Sequence, residues 1–223
     1  MGGLLQNIKL PGENIPWLES LREKGREAFA AQGLPTAKTE AWKYTRPRDL
    51  QVDDFVMETE EPGEEHKTCG CGGECCCHEA DEPAALPFAG YEIHFANGRL
   101  QHGHLQLPRG VTVMPLMDAV LYDEEIKNYL GKSVDIEHYP FAALNTAYLA
   151  EGLFIRVSKD VALDWPLVVF NHTHSCHDNL FYNVRNIIVL ENGASAGLVE
   201  FYGYSGAEKS RYFANVVNEI YLG

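Results

Sequence analysis

Long apolar runs are missing from this sequence. Nowhere do eighteen or more apolar residues follow one another, so no stretch can cross a bilayer as a helix. Basic residues are scarce as well, 18 Lys and Arg against 32 Asp and Glu, for a net charge of −14. Without a basic stripe to displace counterions from phosphates, the composition argues against nucleic acid as a partner. Neither G-x-x-x-x-G-K-[ST] nor G-x-G-x-x-G occurs, so the chain itself is not expected to bind ATP. The opening residues, MGGLLQNIKLPGENIP, lack the charged and apolar segments of a secretory signal. The expectation is a cytoplasmic protein with reduced thiols. Its six cysteines, five of them crowded together, do not make a disulfide framework there.

The charge that is present is unevenly placed. Residues 50–82 hold eleven acids against one lysine, so most of the net charge lies in about a seventh of the chain. This stretch is poor in aliphatics and reads as an extended loop or insertion, residues 50–87. Before it, residues 1–49 form a helical region. Trp17, Leu21, Ala28 and Phe29 recur near helical spacing, Pro16 suits the first turn, and Gly33 followed by Pro35 is a stop. After it, residues 88–150 mix strand and helix. Tyr91–Phe95 alternates, Asn97-Gly98 is a hairpin signal, and short helices are expected over 116–130, broken near Asp123, and over 140–150.

From 151 to 223 short apolar runs alternate with turn clusters: Leu153–Val157, Leu167–Asn171, Asn186–Leu190, Ala196–Tyr202 and Tyr212–Leu222. Regular strands without intervening helices indicate an all-β region, whether sandwich, barrel or β-helix. Periodicity does not choose among the three.

Three groups of residues carry a family resemblance. Gly33-Leu34-Pro35-Thr36, followed by Lys38, Glu40, Trp42, Lys43, Tyr44 and Thr45, resembles the amino-terminal fingerprint of SufD, in the SufB/SufD family. Phe141-Ala142-Ala143-Leu144-Asn145-Thr146-Ala147 with Gly152 is similar to the family's entry into its core. Arg185-Asn186, Ile187–Leu190, Gly193-Ala194, Glu200, Asn215 and Glu219 resemble the β segments that follow. The resemblance implies a mixed fold: a helical, α+β amino-terminal region, then an all-β right-handed parallel β-helix from about residue 150, cut short at Gly223. It also implies a non-catalytic scaffold subunit for iron–sulfur cluster assembly, with SufB and the ATPase SufC as partners. A chain that stops straight after a strand is expected to be a fragment. The open β-helix edge left there would favour self-association.

Two clusters could bind metal. Within residues 66–78 lie His66, Cys69, Cys71, Cys75, Cys76, Cys77 and His78. Thiolates and imidazoles so closely spaced, with glycines between, suit a soft ion or an iron–sulfur cluster, the two cofactor candidates. The spacing is nearer to a metallothionein run than to paired C-x-x-C. It departs from the family pattern, and the competing reading is a flexible acidic loop with incidental thiols. In the second cluster, strand alternation would put His172, His174 and Cys176 on one face. The competing reading there is three solvated outward side chains. Trp42 and Tyr44 are expected to pack, and Glu40 with Lys43 to form a surface pair. Outside the scaffold class, a metal-storage protein built on the cysteine loop is the main alternative. A β-helix carbohydrate-active enzyme is disfavoured, because the acids after 150 are scattered rather than convergent.

Overall fold

A computed structural model describes residues 8–36, 39–45, 50, 54–57, 86–101, 106–175, 179–206 and 211–223. Helix α1 (Pro16–Gln32) has Pro at its start and buries Leu18, Arg22, Gly25 and Ala28 at three- and four-residue intervals. It stops at Gly33, whose N–H closes on the Phe29 carbonyl at 2.8 Å. After a short 3-10 turn at Glu40–Trp42 come β1 (Val56–Met57), β2 (Tyr91–Ala96), β3 (Arg99–Leu100) and β4 (Val111–Pro115). Two helices follow, α2 (Leu116–Tyr122), with a 3-10 turn after it at Glu124–Asn128, and α3 (Pro140–Ala147). The remaining strands are β5 (Leu153–Val157), β6 (Leu167–Ser175), β7 (Leu180–Leu190), β8 (Leu198–Gly206) and β9 (Tyr212–Leu222).

The strands make two mixed sheets. In the first, β7 is central. β9 runs parallel along one side, β1 and β5 run parallel along the other, and β4 lies antiparallel outside β5. The second has the order β3-β2-β6-β8, with β3 antiparallel to β2 and the other pairs parallel. The expected right-handed parallel β-helix from residue 150 is therefore corrected to a mixed α/β fold with two mixed sheets and, among the described residues, three α-helices. The reason lies upstream of residue 150. Asn97-Gly98 turns β2 back on β3, and β4 returns antiparallel beside β5. These earlier segments are integral members of the sheets rather than a preface to them.

Three apolar clusters show how the layers stack. Leu18, Leu116, Ala119, Ile126, Leu149, Phe154, Ile187 and Val189 fill the space between helices and first sheet. Leu153, Ile155, Val184 and Ile188 meet Ile93, Phe95, Leu167 and Val169 between the two sheets. A third cluster sets Leu144, Ala147 and Tyr148 of the α3 region against Phe55, Met57 and Phe181. Adjacent residues of β5 and β7 thus serve opposite faces, and the first sheet is covered on both, as parallel strands require.

Two close approaches tighten this stack, one between α1 and α3 and one at the start of β5 against β7. A Cβ on Gly25 of α1 would lie 2.5 Å from the Ala147 amide nitrogen, so only glycine lets the two helices come this near. Gly152 enters β5 with φ +146, and a Cβ there would lie 1.8 Å from the Arg185 carbonyl oxygen. Gly33 also has positive φ, +65, yet nothing lies within 4 Å of its missing Cβ. Gly33→Ala should cost only backbone strain, about 1–3 kcal/mol. Gly152→Ala should cost clearly more, because a clash with β7 is added. Urea denaturation midpoints of the two variants test this; equal losses would refute the close-approach account.

Candidate functional site

Strand β7 carries three polar side chains, Asn183, Arg185 and Asn186, in surroundings that exclude water. A buried guanidinium costs several kcal/mol unless it is paired and fully hydrogen-bonded. Arg185, 1% exposed, is paired, and each of its three nitrogens donates a hydrogen bond. Its Nη1 donates to Glu219 Oε1 on β9 at 2.8 Å, its Nε to Asn145 Oδ1 at 2.8 Å, and its Nη2 to Thr146 Oγ1 at 2.7 Å. The last two acceptors belong to α3. One side chain thereby joins two strands and a helix.

Glu219 completes the arrangement from the other side. It accepts from the Gly131 N–H at 2.8 Å, from the Ser133 N–H and hydroxyl at 3.1 Å each, and from the Tyr221 hydroxyl at 3.0 Å. Burial pushes its carboxyl upward. The Arg185 charge and the Gly131, Arg185 and Ser133 hydrogen bonds outweigh that, holding Glu219 below the ordinary glutamate range. Burial likewise lowers Arg185, with Glu219 opposing, and the guanidinium keeps its charge.

Asparagines extend the network. Asn145 Nδ2 donates to the carbonyls of Val184 (3.0 Å) and Asn215 (2.8 Å), and Asn215 Nδ2 to that of Phe141 at 2.9 Å. Between the sheets, Asn186 Nδ2 donates to Asn218 Oδ1 at 2.9 Å, and Asn218 Nδ2 to Glu200 Oε2 at 2.8 Å. Asn186 Oδ1 also receives the Leu153 N–H at 3.0 Å. A second buried arginine, Arg22, donates from Nε and Nη2 to the Leu149 carbonyl (3.0 and 2.6 Å) and from Nη2 to Pro11 (2.6 Å). This ties α1 to the segment that follows α3. Asn145, Thr146, Gly152, Arg185, Asn186, Glu200, Asn215 and Glu219, read in the sequence as marks of resemblance, are thus positioning residues in contact. Gly131, Ser133, Asn218, Tyr221 and Arg22 were missed. Tyr221 alone carried a signal, standing two residues beyond Glu219 on a strand.

The expected metal ligands fall elsewhere. His66, Cys69, Cys71, Cys75, Cys76, Cys77, His78 and Cys176 lie outside the described residues. His172 and His174 stand half-buried on the outer face of the second sheet, while Asn171 and Thr173 between and beside them face inward. Burial first, then the neighbouring His172, holds the His174 imidazole below its usual value. Among the described residues no three His, Cys, Asp or Glu side chains converge as a metal site. In the amino-terminal fingerprint, Trp42 packs on Phe141 with ring centres 5.0 Å apart, and Lys43 pairs with Glu40 at 2.7 Å. Tyr44 is 90% exposed, contrary to its expected packing role. Gly193-Ala194-Ser195-Ala196-Gly197 has the G-x-S-x-G spacing of a serine-hydrolase elbow, contrary to the expectation that the chain contains none. It joins β7 to β8 and is followed by a strand, whereas the elbow needs a strand-to-helix turn.

Removing either partner of the buried pair should be costly. Arg185→Met is expected to lose about 3–5 kcal/mol, because Glu219 is left without its cation. Since the folded state depresses the Glu219 pKa, the pair's stabilisation is fully present above the ordinary glutamate range. It disappears as pH falls through the depressed folded value. The stability gap between wild type and Glu219→Gln should therefore be largest near neutrality and shrink on acidification. Denaturant melts from pH 7 down to pH 3 measure it, and a gap independent of pH would contradict the pairing.

Residues 6–169 match the family model described as the SufBD protein N-terminal region. An iron–sulfur cluster assembly SufBD family protein of Synechocystis is 25% identical over 232 residues, covering 99% of this chain and 48% of its own length. Namesakes from Staphylococcus haemolyticus and Staphylococcus epidermidis are 34% and 33% identical over 93 residues, 41% of this chain and 20% of theirs. The chain thus spans about half the length of the Synechocystis relative. The family model covers well over half of the sequence, and the chain belongs to the SufBD family.

Proposed function

We propose that this chain serves iron–sulfur cluster assembly as a SufD-like scaffold, acting through contacts with SufB and with the ATPase SufC rather than by catalysis of its own. The observation that carries this reading is the match to the SufBD N-terminal region across residues 6–169, together with relatives named for iron–sulfur cluster assembly. The network supports it, since its charged groups serve to fix α3 and β9 in place. Among the described residues, β8 pairs only with β6 and β9 only with β7, leaving two long strand edges. Large apolar side chains are exposed along them, Phe201, Tyr202 and Tyr204 on β8 and Tyr212, Ile220 and Leu222 on β9. Such edges are templates for protein contact, and they are also the route by which the isolated chain would self-associate.

A second reading rests on the five cysteines and two histidines within residues 66–78. A soft metal ion or an iron–sulfur cluster held there would make the chain a metal-binding or storage protein.

Anaerobic co-expression with SufB and SufC, followed by affinity purification and metal analysis, tests both readings. The scaffold reading expects stoichiometric SufB or SufC in the purified complex, and the same recovery when the five loop cysteines are replaced by serine. Recovery of neither partner, with metal that disappears along with the cysteines, would overturn it in favour of the metal-binding reading.

A further inference from the structure

The outer face of the second sheet carries a stack of rings that stops at a strand edge. His94 of β2, Phe170 of β6 and Phe201 of β8 lie side by side across three parallel strands. Their centres are 4.8 and 5.3 Å apart and their planes within 9° and 14° of parallel. The stack thus advances by one strand spacing, roughly 4.8 Å, per ring. Among the described residues β8 pairs on one side only, and Phe201, the last ring, is 39% exposed. The backbone beside it is set for another strand. Leu167, paired with Leu198, donates its N–H to the Gly197 carbonyl at 2.9 Å. In the even spacing of a parallel ladder, Leu198, Glu200 and Tyr202 then turn their own N–H and C=O away from β6. Leu198–Gly206 also lacks the lysines and prolines that protect such an edge. Its one charge is Glu200, in a chain of net charge −14.

We propose that β8 pairs antiparallel with β8 of a second copy of this chain, about a two-fold axis passing between the two Phe201 residues. A two-fold interface is isologous, so the surface must complement itself. In this register it does. Phe201 faces its symmetry mate at a non-hydrogen-bonded position, where Cα atoms approach to about 4.5 Å and side chains come closest. The stack then runs on through the axis. Glu200 and Tyr202 fall opposite each other, so each carboxylate meets a phenol that can donate to it, as Tyr202 already does within the chain at 3.2 Å. Other registers lose this match. Sliding one copy by two residues in one direction sets Glu200 against Glu200, opposing like charges. Sliding it the other way sets Phe201 against Gly203 and ends the stack. The inference deepens the edge contacts proposed above and does not depend on a role in cluster assembly.

Sedimentation velocity of the full chain, from low to high micromolar concentration, should show a monomer–dimer equilibrium. Phe201→Ala should weaken dimerisation about tenfold or more, since both copies lose their ring, and Phe201→Tyr should restore it. Tyr122→Ser, at an exposed aromatic elsewhere, should leave it unchanged. With the six native cysteines replaced by serine, Phe201→Cys should form an intermolecular disulfide on mild oxidation, because the Cα separation there suits one. Val199→Cys should not, as its two copies stand about 13 Å apart along the strands. A monomer at every concentration would overturn the proposal, whether another segment or another protein then covers β8. So would a dimer that Phe201→Ala leaves intact, or one that cross-links through Val199→Cys rather than Phe201→Cys. Failure to recover SufB or SufC in the co-purification would count against the scaffold reading alone.

Discussion

The fold depends on one buried ion pair, Arg185 with Glu219. It joins the central strand of the first sheet to its edge strand β9, and through Asn145 and Thr146 it fixes α3 on the same face. A charge pair this deep is not retained for Coulomb energy alone, since desolvating both ions offsets most of the attraction. Its effect is specificity. Their other hydrogen bonds reach three further segments: α3, the turn at 131–133, and Tyr221. An apolar replacement could fill the space without dictating which segments meet there.

The rest of the molecule is arranged around that junction. Glycines at 25 and 152 bring α1 and β5 within backbone contact of α3 and β7, and Arg22 anchors α1 to the Leu149 carbonyl. The helix layer and first sheet thereby become one rigid support. Beyond it, among the described residues, β8 and β9 are each paired on one side and carry exposed aromatics. A rigid interior with adhesive edges suits a protein that works by holding others, which is the physical sense of the scaffold reading proposed for this member of the SufBD family.

Much of this was legible in the sequence, and the failures have physical causes. Helix α1 could be read from its apolar spacing and from Pro16 and Gly33, and β5 and β9 from their apolar runs, because local pattern and final environment agree there. The first half of β7 was missed. Leu180–Arg185 mixes asparagine and arginine into a strand buried on both faces, and polar residues in a sequence signal exposure unless their partners are known. Those partners lie 34 to 40 residues away. The β-helix expectation failed because it treated the region before 150 as separate, whereas β2 and β4 complete the two sheets. Family-bearing residues were recognised by type and order, but their convergence on one network was visible only in three dimensions. The two histidines of β6 were placed on a common face by alternation alone, and the cysteines of residues 66–78 stand on composition.

The most direct test of the central claim is a double-mutant cycle on Arg185 and Glu219, measured by urea denaturation at neutral pH. If the pair organises the junction, Arg185→Met and Glu219→Gln combined should destabilise far less than the sum of the two, with a coupling of about 2 kcal/mol or more. Additivity within about 0.5 kcal/mol would show that the two residues act independently and that something else holds α3 and β9 in place.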